Sequence, residues 1–477
     1  MFKIKTTIFA QMKSTYKGLI EQSYKFPQEG FDVKNEWLSF QNIPLKGLIE
    51  KYGTPFRFVY LPKIGAQINK AKNLFQKAIK KHNYQGKYQY CYCTKCNHYY
   101  HVVKEALRND VHLETSSSSD IDLIISLLDS GDVRPDIKVI HNGYKTDEYL
   151  EKIIQLHEYG FEHSIVVLDS KNELRRLLRL HPKYKVKIGI RMAIQQEAQS
   201  AFYTSRLGIP DKEIMAFFRE EIEGNQHVEL KMLHFFVDSG IKNTPYYWGE
   251  FQKALDLYVQ LKSESKNLDS FNLGGGFPIK NHLGFEYDFE SIIDKIIINI
   301  KAHCQEREVL EPDIYTEFGK YTVGESSGIV FEVLEKKKQN DTETWYIIDN
   351  SLLNTIPDAW GLKEKFILLP INKWHNEYSR VSIGGISCDH TDYYNSEDLN
   401  QEILLPNYGE NNEPLYLGFF HTGAYQEAVS GYGGIKHCLI PSPRSVIIDF
   451  DKNGNLVDWL YQDEQSSDEM FKILGYK

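Results

Sequence analysis

The chain has 477 residues, and at roughly 150 residues per domain it is long enough for about three domain-equivalents, or for one barrel and one smaller domain. Its 65 acidic and 56 basic residues give a net charge of −9, and no basic run is longer than Lys336-Lys337-Lys338. This charge pattern excludes nucleic acid as a main partner.

The distribution of apolar residues argues against a membrane-spanning protein and against a secreted one. The longest apolar stretch, from Ile292 to Ile300, contains Asp294 and Lys295 and falls short of the roughly 18 apolar residues that a membrane span needs. The first residues, Met1 to Lys5, are followed by too few apolar residues for a secretory signal. We therefore expect no membrane partner and a cytoplasmic location.

From about residue 63 to 320, β-favouring runs alternate with amphipathic runs, which is typical of repeated strand–helix units. The predicted strands are Tyr88–Cys96, Val111–Thr115, Ile137–Asn142, Ser164–Asp169, Lys185–Met192, Val228–Phe236, Phe271–Leu273 and Ile314–Thr316. The predicted helices are Gln67–His82, Asp120–Leu128, Glu148–His157, Glu173–Leu180, Lys212–Ile222, Tyr247–Leu261 and Phe289–Cys304. Eight units favour a (β/α)₈ TIM barrel over an open doubly wound sheet, which spacing alone does not exclude.

After about Val323 the pattern changes to short β-favouring runs separated by polar turns, which indicates a C-terminal β-domain. The predicted strands there are Ile329–Leu334, Thr344–Ile348, Arg380–Ile383, Leu415–Phe420, Ser445–Phe450 and Leu456–Tyr461. We therefore predict an α/β chain with three parts. Residues 1–60 form an N-terminal segment that packs on either the β-domain or the barrel, residues 61–325 form the barrel, and residues 326–477 form the β-domain.

Reactive groups in such a barrel lie where the strands end. On the first strand, alternation places Cys91, Cys93 and Lys95 on one face. A lysine pointing into the barrel loses hydration, which lowers its pKa and makes it a nucleophile suited to forming a Schiff base. A lysine that flares to solvent is the alternative, and this feature alone favours that alternative.

The same cysteines give little support for a metal. Cys91, Cys93 and Cys96 have no second cysteine pair at zinc-ribbon spacing, so we predict no metal ligands among them. Mg²⁺ stays open as a further cofactor, although no sequence motif supports it. A redox pair of Cys93 and Cys96 is less favoured than a strand lined with small residues.

Two later strand ends carry complementary groups. Gly274, Gly275 and Gly276 allow backbone amides to close around a phosphate, although a lone glycine run is usually a turn. Glu317 ends the eighth strand and by itself fits a salt bridge as well as a catalytic acid. An amine, an anion site and a carboxylate on separate strand ends together fit pyridoxal 5′-phosphate (PLP).

With these motifs in place, the chain resembles the fold-type III PLP decarboxylases of basic amino acids, an alanine racemase-like two-domain family, from about Tyr52 onward. The strand motif Tyr92-Cys93-Thr94-Lys95-Cys96-Asn97 and the motif Leu113-Glu114-Thr115-Ser116-Ser117 are shared widely in that family. The motifs Asn142-Gly143-Tyr144-Lys145, Pro357-Asp358-Ala359-Trp360-Gly361 and Gly423-Ala424-Tyr425-Gln426-Glu427 resemble its arginine branch.

The resemblance implies roles for individual residues. Lys95 would carry PLP covalently, Glu317 would pair with the pyridine nitrogen, and Cys388 would return a proton to the substrate carbon. Asp389 and Asp392 would bind the distal end of a small basic amino acid, and the Cys388 loop would reach into the barrel of a second subunit, giving a homodimer with its active site at the subunit interface. The remaining cofactor-binding residues would be Glu114, Arg191, Phe236, Ser239, Gly274, Gly275, Gly276, Gly319 and Tyr425.

Three positions depart from the family pattern. Phe236 stands where a histidine usually stacks on the pyridine ring, Lys320 replaces an arginine after the strand-eight acid, and Thr391 replaces an acid common in the arginine branch. A phenyl ring stacks without hydrogen-bonding, and lysine keeps the charge of arginine but not its forked donors.

The expected activity is decarboxylation of L-arginine to agmatine and CO₂ in polyamine biosynthesis. The alternatives are decarboxylation of ornithine, lysine, diaminopimelate or carboxynorspermidine, or a catalytically dead paralogue that regulates a true decarboxylase. No catalytic tyrosine replaces the Cys388 loop, so an alanine racemase-like activity is less favoured.

Overall fold

The computed structural model describes residues 27–28, 30–195, 204–394, 403–409 and 413–476. The predictions for Met1 to Lys5, and for the rest of the N-terminal segment up to residue 26, lie outside these residues. The chain divides into two compact units. The barrel unit comprises Lys63–Pro278 and Tyr287–Val323, and the β-unit comprises the described residues up to Pro62, Ile279–Glu286 and the described residues from Gly324 onward. The assignment of Ile279–Glu286 to the β-unit differs from the single predicted boundary near residue 325.

The described N-terminal segment belongs to the β-unit. Three short strands, β1 (Phe31–Lys34), β2 (Trp37–Phe40) and β3 (Ile43–Pro44), form an antiparallel sheet in that order. Helix α1 (Leu45–Tyr52) follows, and strand β4 (Phe56–Tyr60) enters the large sheet described below.

The barrel unit is a closed ring of eight parallel strands, as the sequence predicts. Its strands are β5 (Tyr88–Cys93), β6 (His112–Thr115), β7 (Val139–His141), β8 (Ser164–Leu168), β9 (Val186–Ala193), β11 (Val228–His234), β12 (Ser270–Asn272) and β13 (Asp313–Glu317), with the two-residue β10 (Ile209–Pro210) paired to β9. Consecutive ring strands pair in parallel, and β13 pairs with β5, which closes the ring.

Helices surround this ring in the order expected of strand–helix units. They are α2 (Leu61–Lys81), α3 (Tyr100–Leu107), α4 (Ser118–Asp129), α5 (Asp147–Glu158), α6 (Lys171–Arg179), α7 (Asp211–Phe217), α8 (Pro245–Glu264), α9 (Phe289–Glu306) and α10 (Lys320–Val323). Helix α4 begins with a capping box in which Ser117 and Asp120 each accept a backbone amide of the other. The interior of the ring is filled by Cys91, Ile140, Ile165, Val167, Met232 and Tyr315.

The β-unit is built on a large mixed sheet. Its strands are β14 (Ser327–Lys338), β15 (Thr344–Ile348), β16 (Ile367–Pro370), β18 (Ser382–Gly384), β19 (Tyr393–Tyr394), β21 (Leu415–Phe420), β22 (Arg444–Phe450) and β23 (Leu456–Gln462). The strand order is β19-β18-β15-β14-β4-β22-β23, and β21 pairs with both β14 and β16. A separate antiparallel pair joins β17 (Tyr378–Arg380) to β20 (Leu404–Pro406). The short helices are α11 (Leu352–Thr355), α12 (Pro357–Gly361), α13 (Gln426–Ser430) and α14 (Ser467–Leu474).

Three predicted elements are corrected by the structure. The first barrel strand ends at Cys93 rather than Cys96, because Thr94–Cys96 forms a 3₁₀ turn. The predicted strand Arg380–Ile383 is two strands, since Tyr378–Arg380 pairs with β20 while Ser382–Gly384 pairs with β15. The helix predicted over Lys212–Ile222 ends in a π-helical turn, Phe218–Ile222.

Within the described part of the chain, no helix is both long enough and apolar enough to cross a membrane.

Candidate active site

Lys95 lies at the carboxyl end of the first barrel strand, in the 3₁₀ turn that follows β5. Its Nζ donates a short hydrogen bond to Oε2 of Glu114, the third residue of β6. Glu114 is fully buried, and its Oε1 accepts Ser116 Oγ and Asn142 Nδ2, each at 3.0 Å. The carboxylate of Glu114 is therefore fixed by three donors, one of which is the candidate cofactor lysine.

The expected lowering of the Lys95 pKa is wrong. Lys95 lies in the turn that follows the strand, and its side chain is 41% exposed, whereas Cys91 and Cys93 on the strand are buried. Burial opposes its charge, but the surrounding groups, with Cys93 and Glu114 foremost, raise the pKa of Lys95 above its ordinary value. Since burial raises the pKa of the Cys93 thiol well above its usual value, the negative charge beside Lys95 comes from the carboxylates.

Glu317 ends β13 and is nearly buried. Its Oε1 accepts Asn272 Nδ2 at 2.7 Å, and its Oε2 lies 3.6 Å from His234 Nε2. Burial and the nearby Arg191 lower the pKa of His234 well below its usual value, so the imidazole beside Glu317 is neutral. The strand-end acid is thus held by an amide rather than by a structural cation.

The glycine run forms a turn that is tightly packed against backbone. Gly274 and Gly276 have positive φ angles of 66° and 112°. A Cβ on Gly275 would lie 2.7 Å from the carbonyl oxygen of Glu317, and a Cβ on Gly276 would lie 2.9 Å from the Cα of Gly240. Among the described residues, the amides of Gly275 and Gly276 donate no hydrogen bond. The turn therefore presents free amides at a place where only glycine fits.

The other predicted barrel residues lie at strand ends around this turn. The Phe236 ring flanks Gly274 and Gly275, and the Arg191 guanidinium lies 5.9 Å from the centre of that ring. Arg191 forms no ion pair within the described ranges, and burial lowers its pKa. Ser239 precedes Gly240 beside the turn, and Gly319 lies so close to Cys96 that a Cβ there would overlap the sulfur.

The barrel residues fit PLP on observations of this structure. The amine of Lys95, the carboxylate of Glu317 and the free amides of the glycine turn match the aldehyde, ring nitrogen and phosphate of that cofactor. In addition, buried polar atoms at the same end of the barrel have no hydrogen-bond partner among the described residues. They are both ring nitrogens of His234, Nε2 of His141 and Oδ1 of Asn142.

In the β-unit, the Cys388 loop follows β18. Cys388 is exposed, and its Sγ lies 3.3 Å from Sγ of Cys438. The hydrogen bond between the two thiols, and then the repulsion between their charged forms, raise the pKa of Cys388. Asp389 accepts the Thr391 hydroxyl at 2.7 Å and the Thr391 amide at 2.8 Å, and these bonds lower its pKa. Thr391 thus orients the Asp389 carboxylate.

Asp392 differs from Asp389 in being buried. Its Oδ1 accepts the amide of Leu353 at 3.0 Å and its Oδ2 accepts the amide of Ser387 at 3.1 Å. Both oxygens are engaged by backbone, so this residue holds the loop closed. The expectation that Asp392 reaches a substrate is not supported by this geometry.

The two arginine-branch motifs of the β-unit are joined to each other. Asp358 and Gln426 exchange two hydrogen bonds, from Gln426 Nε2 to Asp358 Oδ2 at 2.8 Å and from the Asp358 amide to Gln426 Oε1 at 3.2 Å. Glu427 pairs with Arg57 at 2.5 Å. Tyr425, between these residues, has a positive φ of 67° and lies in the β-unit.

Several residues at the site were not predicted from sequence. Asn272 and His234 are the last residues of β12 and β11. Reactive groups of such barrels lie at the carboxyl ends of the strands, so the argument that selects Glu317 also selects these two residues. No local sequence pattern marks Cys438, which lies 50 residues from Cys388 in the chain.

The comparisons agree with this geometry. Residues 65–324 match the family model described as "Pyridoxal-dependent decarboxylase, pyridoxal binding domain". The biosynthetic arginine decarboxylase of Prochlorococcus marinus strain AS9601 is 23% identical, over 86% of this chain and 81% of that protein. That of Nostoc sp. strain PCC 7120 is 20% identical, over 89% and 77%.

Solved structures share the fold. The biosynthetic arginine decarboxylase SpeA from Campylobacter jejuni has a TM-score of 0.80 at 21% identity, covering 94% of this chain and 89% of that one. The diaminopimelate decarboxylase from M. jannaschii has a TM-score of 0.77 at 17% identity, covering 93% and 97%. With more than half of its length matching the family model, and with the barrel and strand-end groups described above, this chain belongs to the pyridoxal-dependent decarboxylases.

Proposed function

We propose that this protein decarboxylates L-arginine to agmatine and CO₂, with PLP as cofactor, as a step of polyamine biosynthesis. The observation that carries the proposal is the grouping of Lys95, Glu317 and the glycine turn at one end of the barrel. Arginine is favoured over other substrates because the similar curated proteins carry that activity in their names over most of both chains.

Lys95 is the residue that would hold PLP, through its Nζ. The hydrogen bond to Glu114 orients this amine. Glu317 would bind the pyridine nitrogen and keep it protonated, and Asn272 would fix that carboxylate. When bound, PLP supplies an electron sink for the pair left on the substrate carbon as CO₂ departs.

The phosphate would be bound by the free amides of Gly275 and Gly276, with Ser239 and Tyr425 as further donors. Phe236 would offer its face to the pyridine ring. The guanidinium of Arg191, which has no ion-pair partner among the described residues, would add positive charge beside Phe236. Gly319 would act by its small size, since it leaves room for Cys96 behind the lysine turn.

Substrate contacts would come from the β-unit of a second subunit. Cys388 would donate its thiol proton to the substrate carbon, and Asp389 would bind the guanidinium through two parallel hydrogen bonds. Asp392 would position that loop through the amides of Leu353 and Ser387. Exposed apolar side chains on neighbouring segments, Trp360, Ile386, Val429 and Leu439, support a homodimer interface around this loop.

A product assay tests the activity and its selectivity together. The PLP-loaded protein would be incubated with equal amounts of arginine, ornithine, lysine and diaminopimelate, and the amines identified by mass spectrometry. We expect agmatine to dominate and Lys95→Ala to release no CO₂ and to retain no PLP after borohydride reduction. Turnover by Lys95→Ala would contradict the proposal.

Mixing two inactive variants tests the dimer. If Cys388 acts in the barrel of the other subunit, Lys95→Ala and Cys388→Ala proteins form mixed dimers that contain one intact site. We expect activity to return on mixing. Two variants that stay inactive after subunit exchange would show that each site is built within one chain.

A second candidate function is decarboxylation of another basic amino acid. The observation that favours it is Thr391, which binds Asp389 at the position where an acid is common in the arginine branch. The same assay separates these substrates, and absence of any amine product would favour the regulatory paralogue. A cytoplasmic location stays part of the proposal, because the similar curated proteins are named biosynthetic enzymes.

A further inference from the structure

A cluster of three metal-ligating side chains lies in the β-unit on two separate loops. Cys388, His437 and Cys438 place one ligand atom each within 4.8 Å of one another, and all three residues are exposed. No metal-ligand motif marks this cluster in the sequence, since Cys388 is remote from the other two residues along the chain. The cluster exists only because the fold brings the two loops together.

Both loops are anchored to the same short helix, α11. Asn354 on that helix exchanges two hydrogen bonds with His437, from Asn354 Nδ2 to the carbonyl oxygen at 3.1 Å and from the amide to Asn354 Oδ1 at 3.2 Å. The preceding residue, Leu353, donates its amide to Asp392 in the Cys388 loop. The ligand-bearing loops are thus held in a fixed relation by buried partners, as supporting residues hold the ligands of metal sites.

A second pair of contacts ties the loops together. Asn350 accepts the amide of Ile386 at 3.2 Å and donates from Nδ2 to the carbonyl oxygen of Pro441 at 3.3 Å. Cys438 itself has a left-handed backbone, with a φ of 57°. A non-glycine residue keeps such a conformation only where its surroundings require it.

We propose that Cys388, His437 and Cys438 bind a thiophilic divalent cation, with Zn²⁺ as the best match. Two sulfur ligands and one imidazole suit Zn²⁺, whereas Mg²⁺ and Ca²⁺ require oxygen ligands. At Zn–S distances of about 2.3 Å, tetrahedral geometry puts two sulfurs about 3.8 Å apart. The observed Sγ–Sγ distance is 3.3 Å, so the site needs only a small opening.

The cluster leaves a fourth position for water or for Asp389, whose Oδ2 lies 3.9 Å from His437 Nε2. Binding of Zn²⁺ would replace the thiol protons of Cys388 and Cys438 and release them to solvent. The Cys388 thiolate would then have no proton to give. We therefore infer that Zn²⁺ bound at this site inhibits the decarboxylase, an inference that rests on the proposed function.

Metal binding is tested on the full-length, PLP-loaded protein kept reduced with a phosphine. Zn²⁺ affinity would be measured by competition with a chromogenic chelator, and Co²⁺ would serve as a spectroscopic probe of thiolate ligation. We expect one ion per chain, with affinity at least about tenfold lower in Cys438→Ser and in His437→Ala. His390→Ala is the matched control, since His390 is an exposed histidine of the same region outside the cluster.

Activity provides the second readout. Cys438→Ser is expected to lose the inhibition by Zn²⁺, with its rate in the presence of the metal compared with its own rate without it. Equal Zn²⁺ affinity in wild type and Cys438→Ser, or a Co²⁺ complex without thiolate charge transfer, would overturn the proposal. So would a reduced protein that binds no Zn²⁺ and forms a Cys388–Cys438 disulfide with peroxide. If the protein binds Zn²⁺ but decarboxylates none of the amino acids tested, the metal site is supported and the proposed function is contradicted.

Discussion

Asn272 donates from Nδ2 to Oε1 of Glu317 at 2.7 Å, and the same side chain accepts the amide of Gly274 through Oδ1 at 2.9 Å. The two residues are the last of neighbouring strands, β12 and β13. One amide group therefore fixes both the strand-end acid and the first glycine of the turn. Asn272 acts on PLP through these two neighbours and is a positioning residue.

Replacing Asn272 by Ala should weaken PLP binding and lower kcat. A hydrogen bond to a charged acceptor contributes about 1.5–3 kcal/mol, which corresponds to roughly tenfold to hundredfold in affinity or rate. PLP dissociation and kcat would be measured at one pH. Asn299→Ala, which removes an exposed helix contact of α9, is the control and should leave both unchanged. An unchanged PLP affinity in Asn272→Ala would contradict the positioning role of Asn272.

Replacing Glu114 by Gln should speed capture of PLP by the cofactor-free chain. Glu114 helps to raise the pKa of Lys95, so loss of its charge lowers that pKa and increases the neutral amine at a fixed pH. The capture rate should rise about tenfold for each unit by which the pKa falls. Ser116→Ala keeps the Glu114 charge and should change the rate little. Equal rates in Glu114→Gln and wild type would contradict this electrostatic account.

Replacing Gly276 by Ala should lower both PLP affinity and stability. The residue has a φ of 112°, and the added Cβ would lie 2.9 Å from the Cα of Gly240. We expect a loss of about 1–3 kcal/mol in unfolding free energy and at least a tenfold weaker PLP complex. Gly249→Ala in helix α8 meets no atom within 4 Å and should change stability by under about 1 kcal/mol. Similar effects of the two substitutions would argue against the tight turn.

The stability of the β-unit should fall as the pH rises from about 4 to 7. Burial raises the pKa of Asp349 to about 7, although its carboxylate accepts the amide of Glu332 at 3.1 Å. Because the folded pKa exceeds the unfolded one, the stabilising contribution is complete below the unfolded pKa of about 4 and is lost as the pH passes the folded value.

Thermal unfolding across this pH range measures the effect. Because the Asp349 side chain is partly exposed, we expect the free energy of unfolding of wild type to fall by about 1–3 kcal/mol over this range. The profile of Asp349→Asn should be flatter. Asp341→Asn, at a fully exposed position, is the control and should follow wild type. Parallel profiles for wild type and Asp349→Asn would show that another group titrates.

The barrel and the places of its reactive groups follow from the sequence. Eight strand–helix units are encoded by the local period of apolar residues, and the carboxyl ends of parallel strands share one rim, so Lys95, Glu114 and Glu317 are placed at that rim without coordinates. The strand that bears Lys95 was predicted too long. The 3₁₀ turn at Thr94–Cys96 depends on how the chain closes the ring of strands, and no local sequence pattern predicts it.

Residue patterns along the chain predict the period of the elements, the glycine turn and the residues at most strand ends, because each of these depends on neighbours in the sequence. Three other features are set by the folded packing: the raised pKa of Lys95, the hydrogen bonds of Asp392 to backbone amides and the contact of Cys388 with Cys438. Each of these depends on groups remote in sequence, whose distance and desolvation are set when the strands and loops pack.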